Sequence, residues 1–194
     1  MPFTTPNILT LIRLALIPLL VLAYYWESPW RPLITTSIFV LAGFTDWLDG
    51  YLARRLGESS PFGAFLDPVA DKLVVGIALV LLVADPRIAR LVLDERLFTI
   101  VVIVIIGREI TISALREWMA EIGQRANVRV SSTGKLKTVM QMLAIGFLLY
   151  AKPILGLPIL RIGEILLYLA AILTLWSMIM YLRAAWPALS APGE

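Results

Sequence analysis

Asp46-Trp47-Leu48-Asp49-Gly50-Tyr51-Leu52-Ala53-Arg54, followed after eight residues by Gly63-Ala64-Phe65-Leu66-Asp67-Pro68-Val69-Ala70-Asp71, decides the fold of this chain. The two stretches carry four carboxylates in a sequence that otherwise reads as membrane. Ionised groups in or near lipid are costly and mark function. Asp46 and Asp49 are spaced i,i+3, and Asp67 and Asp71 are spaced i,i+4, so each pair shares one face of a helix. Two such helices brought together would gather oxygen ligands into a cage for hard divalent cations.

Composition agrees. Of 194 residues, 59% are hydrophobic and only 16% charged, and the mean hydropathy is +0.85. A soluble domain of ordinary composition carries about a quarter charged residues. The chain therefore reads as an integral membrane protein, a single all-α bundle over residues 1–194. There is no Cys, which excludes disulfides and thiolate metal sites, and no His, the commonest zinc ligand and neutral-pH base. Acid–base or metal chemistry must rest on Asp and Glu. No nucleic-acid partner is expected.

A helix that crosses a bilayer needs about 20 mainly apolar residues. Six spans are predicted, at roughly residues 8–26, 32–56, 62–83, 97–119, 134–151 and 162–186. Pro18 is the expected kink of the first span, and Arg13 lies one turn inside it. The first span lacks a basic flank and a small-residue cleavage site, so it is expected to be retained. Glu58-Ser59-Ser60-Pro61 is a short connection between the second and third spans, which should therefore be antiparallel neighbours. The four Asp flank that connection and should lie at one membrane face, about two turns deep.

Alternate connections differ in charge. One set holds Arg54, Arg55, Lys72, Arg108, Arg116, Arg125, Arg129, Lys135, Lys137 and Arg183; in the other, Arg31, Arg87, Arg90, Arg96, Lys152 and Arg161 are offset by nearby acids. Cytoplasmic connections are enriched in Lys and Arg, so both termini and the Asp cluster are expected on the cytoplasmic side. Trp26, Trp30, Trp176 and Trp186 stand near span ends, as interfacial anchors or as ordinary lipid-facing aromatics.

Carboxylate-only ligation favours Mg²⁺, Mn²⁺ or Ca²⁺. Two such ions roughly 3.5–4 Å apart form the arrangement used in phosphoryl chemistry. Gly50, Ala53 and Gly63 leave room for a ligand or for close helix packing, and Arg54 can pair with a phosphate oxygen. Asn7 and Thr10 can contact donor phosphates; Asn7 is equally a helix cap.

The array D-x-x-D-G-x-x-A-R-x8-G-x-x-x-D-x-x-x-D resembles, position for position, the motif of the CDP-alcohol phosphotransferase family. The resemblance implies a six-helix membrane enzyme, a homodimer, that transfers a substituted phosphate from a CDP-linked donor to an alcohol and releases CMP. It implies two divalent cations, Mg²⁺ or Mn²⁺, held by Asp46, Asp49, Asp67 and Asp71, with Asp71 also the general base. It places Gly50, Ala53 and Arg54 against the CDP portion.

Further stretches narrow the acceptor. Pro6 to Arg13, Gly107-Arg108-Glu109-Ile110, Ser113 to Ala120 and Gly134 to Gln141 resemble the members that use CDP-diacylglycerol as donor and glycerol 3-phosphate as acceptor. That implies a bacterial inner-membrane enzyme with its site facing the cytoplasm. Glycerol 3-phosphate carries about two negative charges at neutral pH, as phosphomonoesters do. Arg108, Arg116, Lys135 and Lys137 are the candidate cations for it; the alternative is positive-inside charge meeting anionic lipid. Glu109 and Thr138 stand near Arg108 and Lys135 as support. A sister acceptor, inositol phosphate or phosphatidylglycerol, and a divalent-cation transporter are the rival readings.

Overall fold

The computed structural model describes residues 5–56, 61–123 and 132–190. The connection at 57–60 and the polar linker at 124–131 lie outside the described residues. Among these residues the chain is all helical, in seven helices: α1 Thr5–Tyr25, α2 Arg31–Leu56, α3 Pro61–Ala84, α4 Pro86–Leu91, α5 Glu95–Glu121, α6 Ser132–Tyr150 and α7 Ile159–Leu189. Six coincide with the predicted spans to within about three residues at each end. The short α4 was not expected. It forms because Asp85 caps it, accepting the Arg87 N–H at 2.9 Å, with Pro86 in the first helical turn, where its missing N–H costs nothing. Asp94 caps α5 in the same way through the Leu97 N–H. Helix α1 continues through Pro18.

Among the described residues, three helices are long and apolar enough to cross a membrane: Asn7–Tyr25, Glu95–Glu121 and Ile159–Pro187, each with a mean hydropathy of 2.1. No more than 39% of any of these stretches is buried within the protein, so their apolar surface faces outward. Leu22, Ile103 and Ile172 are examples, each at least 63% exposed. In water such a surface would be untenable. Helices α2 and α3 are also apolar over much of their length, but carry their Asp pairs and adjacent basic residues.

The core joins α1, α2, α3, α5, α6 and α7 through Leu20, Phe39, Leu79, Ile105, Ile145 and Leu167. A smaller cluster, Ile112 and Met119 against Tyr181 and Ala185, ties α5 to α7. Helices α2 and α3 are in contact, as the short connection between them implies. Helix α1 packs more extensively on each of them than they pack on each other. Two helices bearing like charges repel along a shared face, and an interposed helix that brings a cation relieves the repulsion.

The end of the bundle away from the Asp array is fastened by two buried acids. Asp85 accepts from the Tyr24 hydroxyl at 3.0 Å and pairs with Arg87 at 3.0 Å and Arg31 at 3.6 Å. Glu164, 0% exposed, accepts the Leu93 N–H and the Tyr168 hydroxyl at 2.8 Å and pairs with Arg161 at 2.9 Å. Directly before Glu164, Gly163 lets α7 approach α6. A Cβ there would stand 2.9 Å from Phe147 Cβ and 3.0 Å from the Ala144 carbonyl oxygen. Gly163→Ala should therefore destabilise the bundle by about 1–3 kcal/mol, the usual cost of overpacking. The midpoint of unfolding in detergent micelles measures this; an unchanged midpoint would mean that α6 and α7 separate freely.

Candidate active site

The acidic array is built by three helices, not two. Helix α2 presents Asp46 and Asp49, α3 presents Asp67 and Asp71, and α1 runs against both. Arg13 of α1 is 1% exposed. One terminal nitrogen of its guanidinium lies 2.8 Å from Asp46 Oδ1, and the other donates to Asp49 Oδ2. The Asp46 contact is an ion pair without hydrogen-bond alignment. One turn earlier on α1, the Thr10 hydroxyl donates to Asp67 Oδ1. One face of α1 thus serves carboxylates from both neighbours.

The four Asp differ in surroundings. Asp49 is buried, and the charges of Asp46 and Asp67 act on it. Asp46 is 45% exposed at its side chain. Asp71 is exposed, lies within reach of the Asp46 and Glu109 charges, and has no ion-pair partner among the described residues. Lys72, the residue beside it, donates instead to the Pro68 carbonyl at 3.1 Å. Among the described residues, no three carboxylates are gathered closely enough to hold one ion in this arrangement, in which Arg13 occupies the space between Asp46 and Asp49.

The donor-contact candidates divide. Gly50 is half-buried on α2 and Gly63 is buried on α3, beside the Asp pairs. Asn7 is buried inside α1, two residues past its start, so the capping alternative does not hold. Thr10 is committed to Asp67. The side chains of Ala53 and Arg54 lie outside the described residues, and so does that of Lys135.

The other three acceptor candidates are brought to the same end of the bundle, but not as free cations. Arg108 donates to Glu109 Oε1 at 2.5 Å and to Ser177 Oγ at 2.8 Å. Lys137 of α6 donates to the same Glu109 oxygen at 2.9 Å. Arg116 stands apart on the Tyr181 ring, 5.1 Å from its centroid, and donates to its hydroxyl at 3.0 Å. Arg108 and Lys137 therefore form one positively charged unit around a single carboxylate, with Arg116 on a separate perch.

A cavity of about 700 Å³ opens between α3, α5 and α6. Such a volume is ordinary for a small-molecule site. Its polar lining includes Asp71, Lys72, Glu109, Glu117 and Gln141, and its walls are apolar, among them Leu73, Ile77, Val80, Ile106, Ile110 and Met142. The exposed base candidate and the carboxylate that holds Arg108 and Lys137 thus face one space.

Two residues escaped the sequence reading. In the sequence Arg13 stands only as a charge in the first span, although a cation one turn inside an apolar helix is itself a signal of a buried carboxylate partner. Sequence proximity ties Glu109 to Arg108 alone, whereas in the structure it anchors Lys137 equally. Arg13→Met leaves buried Asp49 without its cation, and should lower stability by about 3–5 kcal/mol in metal-free detergent solution. Arg13→Lys should recover part of the loss. Unfolding midpoints identical to the parent protein for both variants would refute the pairing.

These features define a class: an all-helical membrane protein with an acidic array that reaches a cavity through Asp71 and a basic pair held by Glu109 on the same cavity. The chain belongs to the CDP-alcohol phosphatidyltransferase family, whose model matches residues 3–176. It is 50% identical over 190 residues to a Pseudomonas fluorescens protein named CDP-diacylglycerol–glycerol-3-phosphate 3-phosphatidyltransferase, covering 97% of this chain and 93% of that one. A Haemophilus influenzae protein of the same name is 52% identical over 186 residues, covering 95% of each. The fold is similar to the crystal structure of Mycobacterium tuberculosis phosphatidylinositol phosphate synthase in apo form. The TM-score is 0.70, at 16% identity, covering 98% of this chain and 95% of that one.

Proposed function

We infer that this protein transfers the phosphatidyl group from CDP-diacylglycerol to glycerol 3-phosphate, giving phosphatidylglycerophosphate and CMP. The observation that carries the reading is the identity of about half, over nearly the whole chain, to relatives of that name. The cavity supports it, with the exposed Asp71 carboxylate and Glu109, the carboxylate that holds Arg108 and Lys137, at its polar end and apolar walls beyond. A buried Arg13 in the middle of the acidic array opposes the reading of a cation pathway.

Asp46, Asp49, Asp67 and Asp71 are the residues that would hold two divalent cations, Mg²⁺ or Mn²⁺. The donor set fits: all donors are carboxylate oxygens, and Arg13 alone leaves the array with excess negative charge. Bound there, the cations would neutralise the donor diphosphate and the charge that develops as CMP leaves. Arg13 would then give up its place between Asp46 and Asp49.

The chain's own residues do the rest. Asp71, exposed to the cavity, accepts the proton of the acceptor's primary hydroxyl. The hydroxyl oxygen forms the new bond to the lipid-side phosphorus, and the phosphoanhydride bond to CMP breaks. Arg108 and Lys137, with Lys135, hold the acceptor phosphate, and Arg116 lies nearby. Gly50, Ala53, Arg54 and Gly63, with Asn7 and Thr10, line the donor side. The six long helices cross a bacterial inner membrane, with both termini and the acidic array at the cytoplasmic face. The asymmetry of Lys and Arg between alternate connections supports that orientation. Assembly as a homodimer rests on the family resemblance.

Purified protein incubated with CDP-diacylglycerol, Mg²⁺ or Mn²⁺ and glycerol 3-phosphate should release CMP, and EDTA should stop it. Release with another alcohol but not with glycerol 3-phosphate would sink the acceptor assignment. Asp71→Asn should lower kcat by about 10²–10⁴-fold, the usual worth of a general base; normal turnover would remove Asp71 from that role. Arg108→Ala and Lys137→Ala should raise the KM for glycerol 3-phosphate, and unchanged values would displace the phosphate site.

A further inference from the structure

The polar end of the cavity holds two groups that phosphate binding and proton transfer leave unused. Glu109 takes Arg108 and Lys137 on one oxygen, Oε1. Among the described residues, no donor reaches its other oxygen, and the side chain is 30% exposed and lines the cavity. Gln141 lies one turn beyond Lys137 on the same face of α6 and lines the same cavity. It is 5% exposed, and its Oε1 has no hydrogen-bond partner. Buried amide oxygens are nearly always satisfied in native proteins, so one left open on a cavity points to a ligand that completes it.

The chemistry of that ligand follows from the atoms. A carboxylate oxygen and an amide oxygen both accept, so the ligand must donate. An ionised phosphate is mainly an acceptor, and its partners are the cations. A hydroxyl donates. Glycerol 3-phosphate has a phosphate at one end, a primary hydroxyl at the other and a secondary hydroxyl between them. Glu109 joins the two halves of the site in the same sense: it bonds the cations and shares the cavity with Asp71.

We propose that Glu109 and Gln141 form a hydroxyl-recognition subsite that takes the acceptor's secondary hydroxyl and so sets its primary hydroxyl at Asp71. The proposal deepens the phosphatidyl-transfer reading and rests on it. Glu109 has a double duty, since it also positions Arg108 and Lys137; Gln141 has the single duty and is the cleaner probe. The hydroxyl has one proton to donate, so an acceptor that lacks it leaves the oxygen it would have paired without a donor, and sites built around a substrate hydroxyl reject such analogues strongly.

The test compares glycerol 3-phosphate with propane-1,3-diol monophosphate, which keeps the phosphate and a primary hydroxyl. The unaltered protein should use the second acceptor with kcat/KM lower by about 10²-fold or more. Gln141→Met, similar in length but without the amide, should shrink that ratio to within about tenfold. Equal use of both acceptors by the unaltered protein overturns the subsite while leaving the phosphatidyl-transfer reading intact. A ratio unmoved in Gln141→Met removes Gln141 from it. If the unaltered protein does not use glycerol 3-phosphate at all, the underlying reading falls and takes the subsite with it. The comparison of acceptors on the unaltered protein needs no variant to fold.

Discussion

The pairing of Arg13 with Asp46 and Asp49 is the interaction on which the rest of this structure depends. Two carboxylates on one helix face, one of them buried, cannot be held in a low-dielectric interior without a cation beside them. Helix α1 supplies it, and in doing so is drawn in against both α2 and α3. Thr10, one turn earlier, extends the same face of α1 to Asp67. The first helix is therefore a structural part of the acidic site.

The bundle is organised by charge at both ends and by apolar packing between them. At the far end, Asp85 and Glu164 each collect several donors from different elements. Those acids have their demand for donors met on the spot. At the near end, Asp71 and Gln141 keep polar atoms open toward a cavity. The contrast separates charge used to fasten the fold from charge held for chemistry.

Much of the fold was legible in the sequence because hydropathy and span length are strong local signals. The six long helices lie where the apolar runs place them. Helix α4 was not legible: six residues are too few for periodicity, and only the Asp85-Pro86 cap marks it. The four Asp were legible as helical pairs through their spacing, yet their nearest cation was not. A partner 36 residues away leaves no local pattern. The same limit hid the meeting of Arg108 and Lys137 at Glu109, which joins α5 to α6. Sequence spacing reports which side chains share a helix face; it does not report which helix turns that face toward another.

The cavity has a mixed boundary. Phe65, Leu73, Val80 and Ile110 line it and are also exposed on the outer apolar surface of the bundle, while its polar end carries Asp71, Glu109 and Gln141. A reactant dissolved in the bilayer reaches such a site by diffusing in two dimensions, and a reactant dissolved in water reaches it in three. The two are then counted in different units. What governs occupancy from the lipid side is the fraction of that lipid in the surrounding membrane, so inert lipid added around the protein dilutes one reactant and leaves the other untouched.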